Sequence, residues 1–216
     1  MSPKRPSLVQ GRTDTPLYEK PLGTLLKERA ACYGVKPALI SHWQDHRASY
    51  SDLARTSGIV ARALIDLGTS RGQHVGIFAG NRHEYIDVFL GGARIGRPLV
   101  VLNSMFTPVE LCTAVERSAC ETVFISKTIG KKDLRQHIEA LGCMQSQGLL
   151  KTIVVFGEDS TVYHGVESHT RFLLRAQNTS VTEDGLEREE RAVRATDVLN
   201  LQFTSGTGLS IRKNKR

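Results

Sequence analysis

No run in these 216 residues approaches the roughly 20 consecutive apolar residues that a bilayer span requires, and the longest candidates are interrupted by Arg or Gly. No transmembrane segment is therefore expected. No C-x-x-C pair occurs. Cys32, Cys112, Cys120 and Cys143 stand singly inside apolar patterns, which argues against a disulfide framework and predicts reduced core or near-core thiols, as in an intracellular setting. There is no G-x-G-x-x-G either, so Gly91 and Gly92, in an otherwise apolar helical stretch, predict close backbone packing rather than a dinucleotide fingerprint. His164 and His169 lack a third ligand nearby in sequence and read as an ordinary surface pair, with no metal site expected. Internal repeats and low-complexity tracts are missing too. Aromatics are sparse, and the single tryptophan, Trp43, is expected to pack within a hairpin.

What is present suffices for a real core: 40% of the residues are hydrophobic. The formal charge of +7 invites a nucleic-acid partner, but Arg212, Lys213, Lys215 and Arg216 supply four of those charges within the last five residues. Without aromatic stacking partners they read as a solvated tail, so no nucleic acid is expected. The first thirteen residues carry Lys4, Arg5 and Arg12 and no acid, as a transit peptide does, while Pro3 and Pro6 oppose the amphipathic helix such peptides form. Localisation stays open between the cytoplasm, taken as the default, and a mitochondrial or peroxisomal setting.

Residues 1–20 read as an extended arm. A helix is predicted from an N-cap at Thr24 to Gly34, then a hairpin of residues 37–42 and 47–50, then a helix from an N-cap at Ser51 to Gly68. Residues 74–79, 98–102, 122–126 and 153–156 read as strands; residues 84–95 and 132–141 read as helices between them. Thr107-Pro108-Val109-Glu110 offers an N-cap, a proline at N1 and an acid at N3, opening a helix whose buried face would be Leu111, Cys112, Val115 and Ala119. Residues 166–175 form a weaker helical pattern, and residues 178–194 are so polar that a surface loop is expected. Strands alternating with helices imply an α/β fold with a mainly parallel sheet covered on both faces.

Residues 198–203 form an apolar run of buried-strand length, and Thr204-Ser205-Gly206-Thr207-Gly208 follows at its carboxyl end, where open α/β sheets bind ligands. Backbone N–H groups freed by glycine, with short hydroxyl donors between, are the chemistry that cradles phosphate oxygens. Alone the pentapeptide is weak evidence, since Thr, Ser and Gly are ordinary turn formers.

Context strengthens it. Ser49-Tyr50-Ser51-Asp52-Leu53, Ala63-Leu64-Ile65-Asp66-Leu67-Gly68, the strand ending in Asn81-Arg82-His83-Glu84-Tyr85, residues 96–103 with Thr107-Pro108-Val109-Glu110-Leu111, and Leu201-Gln202-Phe203-Thr204-Ser205-Gly206-Thr207 occur in an order that resembles the AMP-forming acyl-CoA synthetases of the adenylate-forming superfamily, the fatty acyl members above all. Ser104 stands where that family usually has proline. The resemblance implies a ligase that uses ATP and Mg²⁺ to join a carboxylic (fatty) acid to coenzyme A through an acyl-adenylate. By carry-over, Thr204, Ser205 and Thr207 would donate to the phosphates and Gly206, with Gly208, would let the backbone approach them.

The likeness covers residues 21–207, read as the partial N-terminal synthetase domain, and stops inside the loop. Ser210 and Ile211 take the positions of the family's Pro and Lys, and residues 208–216 read as an unrelated basic tail, as read-through into an intron would produce. One charge-assisted contact is worth about 1.5–3 kcal/mol, so losing the lysine alone would weaken phosphate binding roughly ten- to hundredfold. The expectation is an N-terminal fragment, inactive alone and without ATP binding of its own, with no catalytic residue assigned. The alternative is a non-catalytic module that pairs through its exposed sheet edge with a full-length relative.

Overall fold

The computed structural model describes residues 11–16, 18–157 and 165–203. Chain order gives α1 (Leu22–Tyr33), β1 (Pro37–Ser41), β2 (His46–Ser49), α2 (Tyr50–Asp66), β3 (His74–Phe78), α3 (His83–Arg94), β4 (Leu99–Val101), α4 (Pro108–Arg117), β5 (Cys120–Ser126), β6 (Thr128–Ile129), β7 (Lys132–Asp133), α5 (Arg135–Ser146), β8 (Thr152–Phe156), β9 (Glu167–Ser168), α6 (His169–Asn178), α7 (Glu183–Arg191) and β10 (Asn200–Gln202). Among these, no helix is long and apolar enough to cross a membrane.

Six strands form one sheet in the order β10-β4-β3-β5-β8-β9, and every pairing in it is parallel. The chain steps one way from β3 to β4 and the other way from β4 past β3 to β5, so crossovers of one hand place α3 and α4 on opposite faces. Strand alternation divides the core accordingly. Phe78, Val100, Val123, Ile125, Ile153 and Val155 pack with Leu111 and Val115 of α4 and Ile138 and Leu141 of α5. Their neighbours Val75, Ile77, Leu99, Phe124, Val154 and Phe156 pack with Val60 and Leu64 of α2, Val88 of α3, Phe172 of α6 and Leu186 of α7. A sheet buried on both faces reads as continuous apolar runs, as residues 153–156 do.

Local signals were obeyed where a side chain closes its own helix. At Thr107, Oγ1 accepts from the Glu110 N–H (3.3 Å) and the Glu110 carboxylate accepts from the Thr107 N–H (2.8 Å), closing the expected capping box. The other starts shift. The cap of α2 is Ser49, not Ser51: Ser49 Oγ accepts from the Asp52 N–H (3.1 Å) and Asp52 accepts back (3.0 Å). The Asp52 carboxylate also accepts from the Ser49 hydroxyl (2.7 Å), and its two bonds from Ser49, the hydroxyl first and the backbone second, hold the carboxyl at about 2. For α1 the preceding residue is Pro21 rather than Thr24, because the Pro21 carbonyl already accepts from the Leu25 N–H.

Several expectations are corrected. Residues 178–194 are not all loop: α7 lies there, capped by Thr182. Lys132 and Asp133 pair with β6 before α5 begins. Ala119 follows α4 in the left-handed region (φ 49°), so Ala114 takes its place on the buried face. Cys32 and Cys143 are exposed, leaving Cys120 as the one fully buried thiol of the four. Trp43 sits in a 3-10 turn between β1 and β2 with its ring in solvent, anchored through its indole N–H to the Asn81 carbonyl (2.8 Å). His169 is buried, and its supposed surface partner His164 lies outside the described residues.

Close packing at the two glycines holds. A Cβ on Gly91 would lie 2.5 Å from Val60 Cγ1 and 3.1 Å from the Ser57 carbonyl, and one on Gly92 would lie 2.9 Å from the Arg97 carbonyl. Gly91→Ala is expected to destabilise the chain by about 1–3 kcal/mol, because the overlap with a stiff, buried valine outweighs the gain of about 1 kcal/mol in helix propensity. Denaturant unfolding checks this, and adding Val60→Ala should recover part of the loss.

Candidate functional site

The carboxyl ends of β3, β4, β5, β8 and β10 share one edge, and the loops that leave them are tied to each other by named contacts. Asn103 begins the β4–α4 turn: its Oδ1 accepts from the Met105 N–H (3.0 Å) and its carbonyl from the Phe106 N–H (2.9 Å). The Phe106 carbonyl in turn meets Lys132 Nζ (3.0 Å) and His137 Nε2 (3.0 Å), while Lys132 also donates to the Ser104 carbonyl (3.1 Å) and stands 5.7 Å from the Phe78 ring centre. Two carbonyls and an aromatic face occupy that ammonium, so Lys132 fastens the turn to the β6–β7 hairpin.

Onto this turn the last strand is delivered. β10 pairs in parallel with β4, Leu201 opposite Val100, and Phe203 meets Phe106 edge-on with ring centres 5.9 Å apart. The run expected to be buried is an edge strand: β10 has β4 on one side and no described strand on the other, and Val198, Leu199 and Phe203 are 59%, 40% and 38% exposed. Thr204, Ser205, Gly206, Thr207 and Gly208 come next and lie outside the described residues. What is fixed is the entry to that loop, at the carboxyl edge and against the β4–α4 turn.

A second cluster surrounds the β3–α3 turn. Arg82 gives two hydrogen bonds to the Glu84 carboxylate (2.9 and 2.5 Å), a longer one to Ser126 Oγ (3.3 Å), and lies 4.8 Å from the Phe156 ring centre. Gln44 donates to Glu84 (2.8 Å) and accepts from the His83 N–H (2.8 Å). Burial alone would raise the Glu84 carboxyl; hydrogen bonds from Arg82 and Gln44 outweigh it and hold the group at about 2. The acid of the Asn-x-x-Glu-Tyr stretch is thus spent on locking the β1–β2 hairpin to the end of β3. Sequence reasoning assigned no role to Arg82, Gln44, Lys132 or His137, whose contacts join segments 26 to 44 residues apart. Among the described residues no three His, Cys, Asp or Glu side chains stand together as metal ligands.

Comparison with known proteins agrees with this architecture. The family model described as "AMP-binding enzyme" matches residues 26–208. The acyl-CoA ligase sidI of Aspergillus fumigatus is 35% identical over 213 residues, covering 95% of this chain and 35% of the relative. Among solved structures, a natural red-emitting luciferase from Phrixothrix hirtus superposes with a TM-score of 0.68 at 18% identity (92% of this chain, 46% of that one), and the anthranilate CoA ligase AuaEII bound to anthranoyl-AMP with 0.64 at 19% (91% and 34%). The chain spans about a third of the length of the first curated relatives it matches. With a model match over most of its length and the parallel sheet that its solved neighbours share, the chain belongs to the AMP-binding enzyme family.

Proposed function

We propose that these residues form the N-terminal part of an ATP-dependent acid–thiol ligase, which activates a carboxylic acid as its acyl-adenylate and passes the acyl group to coenzyme A. In this reading 204–208 begin the loop that holds the ATP phosphates, residues 21–207 are the N-terminal portion of the large domain, and fatty acids are the first acids to assay. The observation that carries it is the seating of β10 on β4, which leaves Phe203 against Phe106 immediately before the Thr-Ser-Gly-Thr run. The names of the curated relatives, all acyl-CoA ligases among the first four, support the substrate class.

The 216 residues are proposed not to complete this chemistry by themselves. Ser210 and Ile211 stand where the resemblance calls for Pro and Lys. Calorimetric titration with MgATP is expected to give no saturable binding; a dissociation constant in the micromolar range would overturn this part of the proposal.

One observation favours a second reading, association with a longer relative. Among the described residues no strand pairs with the far side of β10, and Val198 and Leu199 just before it are exposed; an unpaired edge with apolar flanks is a template for another strand. Size-exclusion chromatography with a full-length ligase distinguishes the two, since a stable mixed complex is expected only of the second.

A further inference from the structure

On the face of the sheet covered by α2, α3 and α6, a cavity of about 320 Å³ opens between the three helices. Its apolar wall includes Ile59 and Val60 of α2 and Leu173 of α6, and its polar wall includes His83 and Asp87 of α3 and His169 of α6. The volume falls in the range of small-molecule sites, which pair an apolar lining with a few placed polar groups.

The polar groups are unevenly satisfied. Glu84, also on this wall, has its charge matched by Arg82. Asp87, 8% exposed, accepts from the neutral Thr56 hydroxyl (2.8 Å), and its one partner in ion-pair range among the described residues is His83 Nδ1 at 3.4 Å, beyond good hydrogen-bond length. His169 is also 8% exposed, and its Nε2 has no hydrogen-bond partner among the described residues. Burial keeps this imidazole neutral, with its pKa pushed down to about 4, so it does not supply a charge to offset the carboxylate. A buried carboxylate without a firm cation, and an orphaned ring nitrogen on the same cavity, each cost free energy until a ligand group satisfies them.

We propose that this cavity binds a small organic ammonium ion, its cationic head on Asp87 and its apolar body against Ile59, Val60 and Leu173. Ammonium supplies several donors on one compact charge, which suits the carboxylate and, in the tautomer that carries its proton on Nδ1, His169 Nε2. A bare metal ion fits poorly, since the described residues hold no ligand set for one. The site is independent of the adenylation reading, because none of its groups belongs to the 204–208 loop.

The test is titration of the full 216-residue chain at neutral pH with benzylammonium, followed through the histidine ring signals in proton–carbon NMR spectra. Saturable shifts at His83 and His169 are expected. Benzyl alcohol, of the same shape without the charge, should bind about ten- to hundredfold more weakly, the ratio expected for one charge-assisted contact. Asp87→Asn should weaken benzylammonium to a similar degree, and Leu173→Trp, which fills the apolar end, should abolish it. No saturable shift at tens of millimolar, equal binding of the alcohol, or unchanged affinity in Asp87→Asn would overturn the proposal. Should Asp87→Asn fail to fold, the comparison of ammonium with alcohol on the unaltered chain decides.

Discussion

Glu190→Ala is expected to destabilise the chain by about 3–5 kcal/mol, the usual cost of removing one partner from a buried ion pair. Arg94 is 7% exposed and runs between Gly23 of α1 and Gly58 of α2, where a Cβ on either glycine would come within 3.0 Å of it. Its Nε donates to Glu190 (2.6 Å) and its Nη1 to the Ala54 carbonyl (2.5 Å) and Ser57 Oγ (3.1 Å). Glu190 also receives Lys27 of α1. Without the carboxylate, the guanidinium stays buried with neutral acceptors only. For a chain of this size the loss corresponds to a fall in Tm of roughly 6–20 °C. Glu187→Ala is the internal control: in its i,i+4 pair with Arg191 on the same helix the two side chains are 49% and 79% exposed, so water replaces what is lost and a cost of only about 0.3–0.5 kcal/mol is expected. Equal effects of the two substitutions would mean that burial of Arg94 does not set the cost.

The second large effect is on the pH dependence of stability. His169 lies edge-on to Phe156 (5.1 Å between ring centres) and close to Phe172, and burial, the largest influence, depresses its pKa to about 4; Glu84 and Asp87 pull it upward, Arg82 and His83 further down. In the unfolded chain the imidazole has its ordinary value near 6.5. Between those values the unfolded state binds the extra proton, so stability is complete above about pH 6.5 and falls as the pH drops toward 4, by about 3 kcal/mol for this one group. The Glu84 carboxyl, held at about 2, acts in a lower window: its contribution is present above about pH 4.5 and is lost as the pH falls toward 2. His169→Phe keeps the aromatic contacts and removes the titration. Thermal unfolding from pH 7 to 4 should therefore show a steep loss of Tm in the unaltered chain and a flatter one in the variant. Parallel curves would remove His169 as the cause.

These two predictions rest on the elements that were hardest to read. The helix α7 lies in a stretch with one buried apolar residue, Leu186, and its attachment is ionic: Glu189 and Glu190 meet Arg97 and Arg94, more than 90 residues earlier. No periodicity records such a pairing, so its charges look like those of a solvated loop. His169 reads as surface because histidine spacing carries no information about the aromatic pocket that closes on it. The capping box at Thr107, by contrast, is contained within four residues, and the alternation of strands and helices is forced by a sheet buried on both faces, so both were legible. Ser49 and Ser51 are equally good caps by residue type; only the extended backbone at the end of β2 selects the first. At the candidate site the apolar run 198–203 located the strand β10, while the loop after it, residues 204–208, lies outside the described residues. The ties that fix its entry, Lys132 and His137 on the Phe106 carbonyl and Phe203 on Phe106, depend on tertiary contact and left no local pattern.

The measurement that bears most directly on the central claim is acid-dependent exchange of pyrophosphate into ATP, run on the 216-residue chain and on a chimera in which residues 209–216 give way to the corresponding downstream part of the Aspergillus fumigatus relative. Exchange reports formation of the acyl-adenylate alone, before any transfer to coenzyme A. The chain by itself is expected to be silent with every acid tested, and the folded chimera to exchange. Exchange by the 216 residues alone, or silence from a chimera that folds, would contradict the assignment of this chain as the opening part of an adenylate-forming ligase.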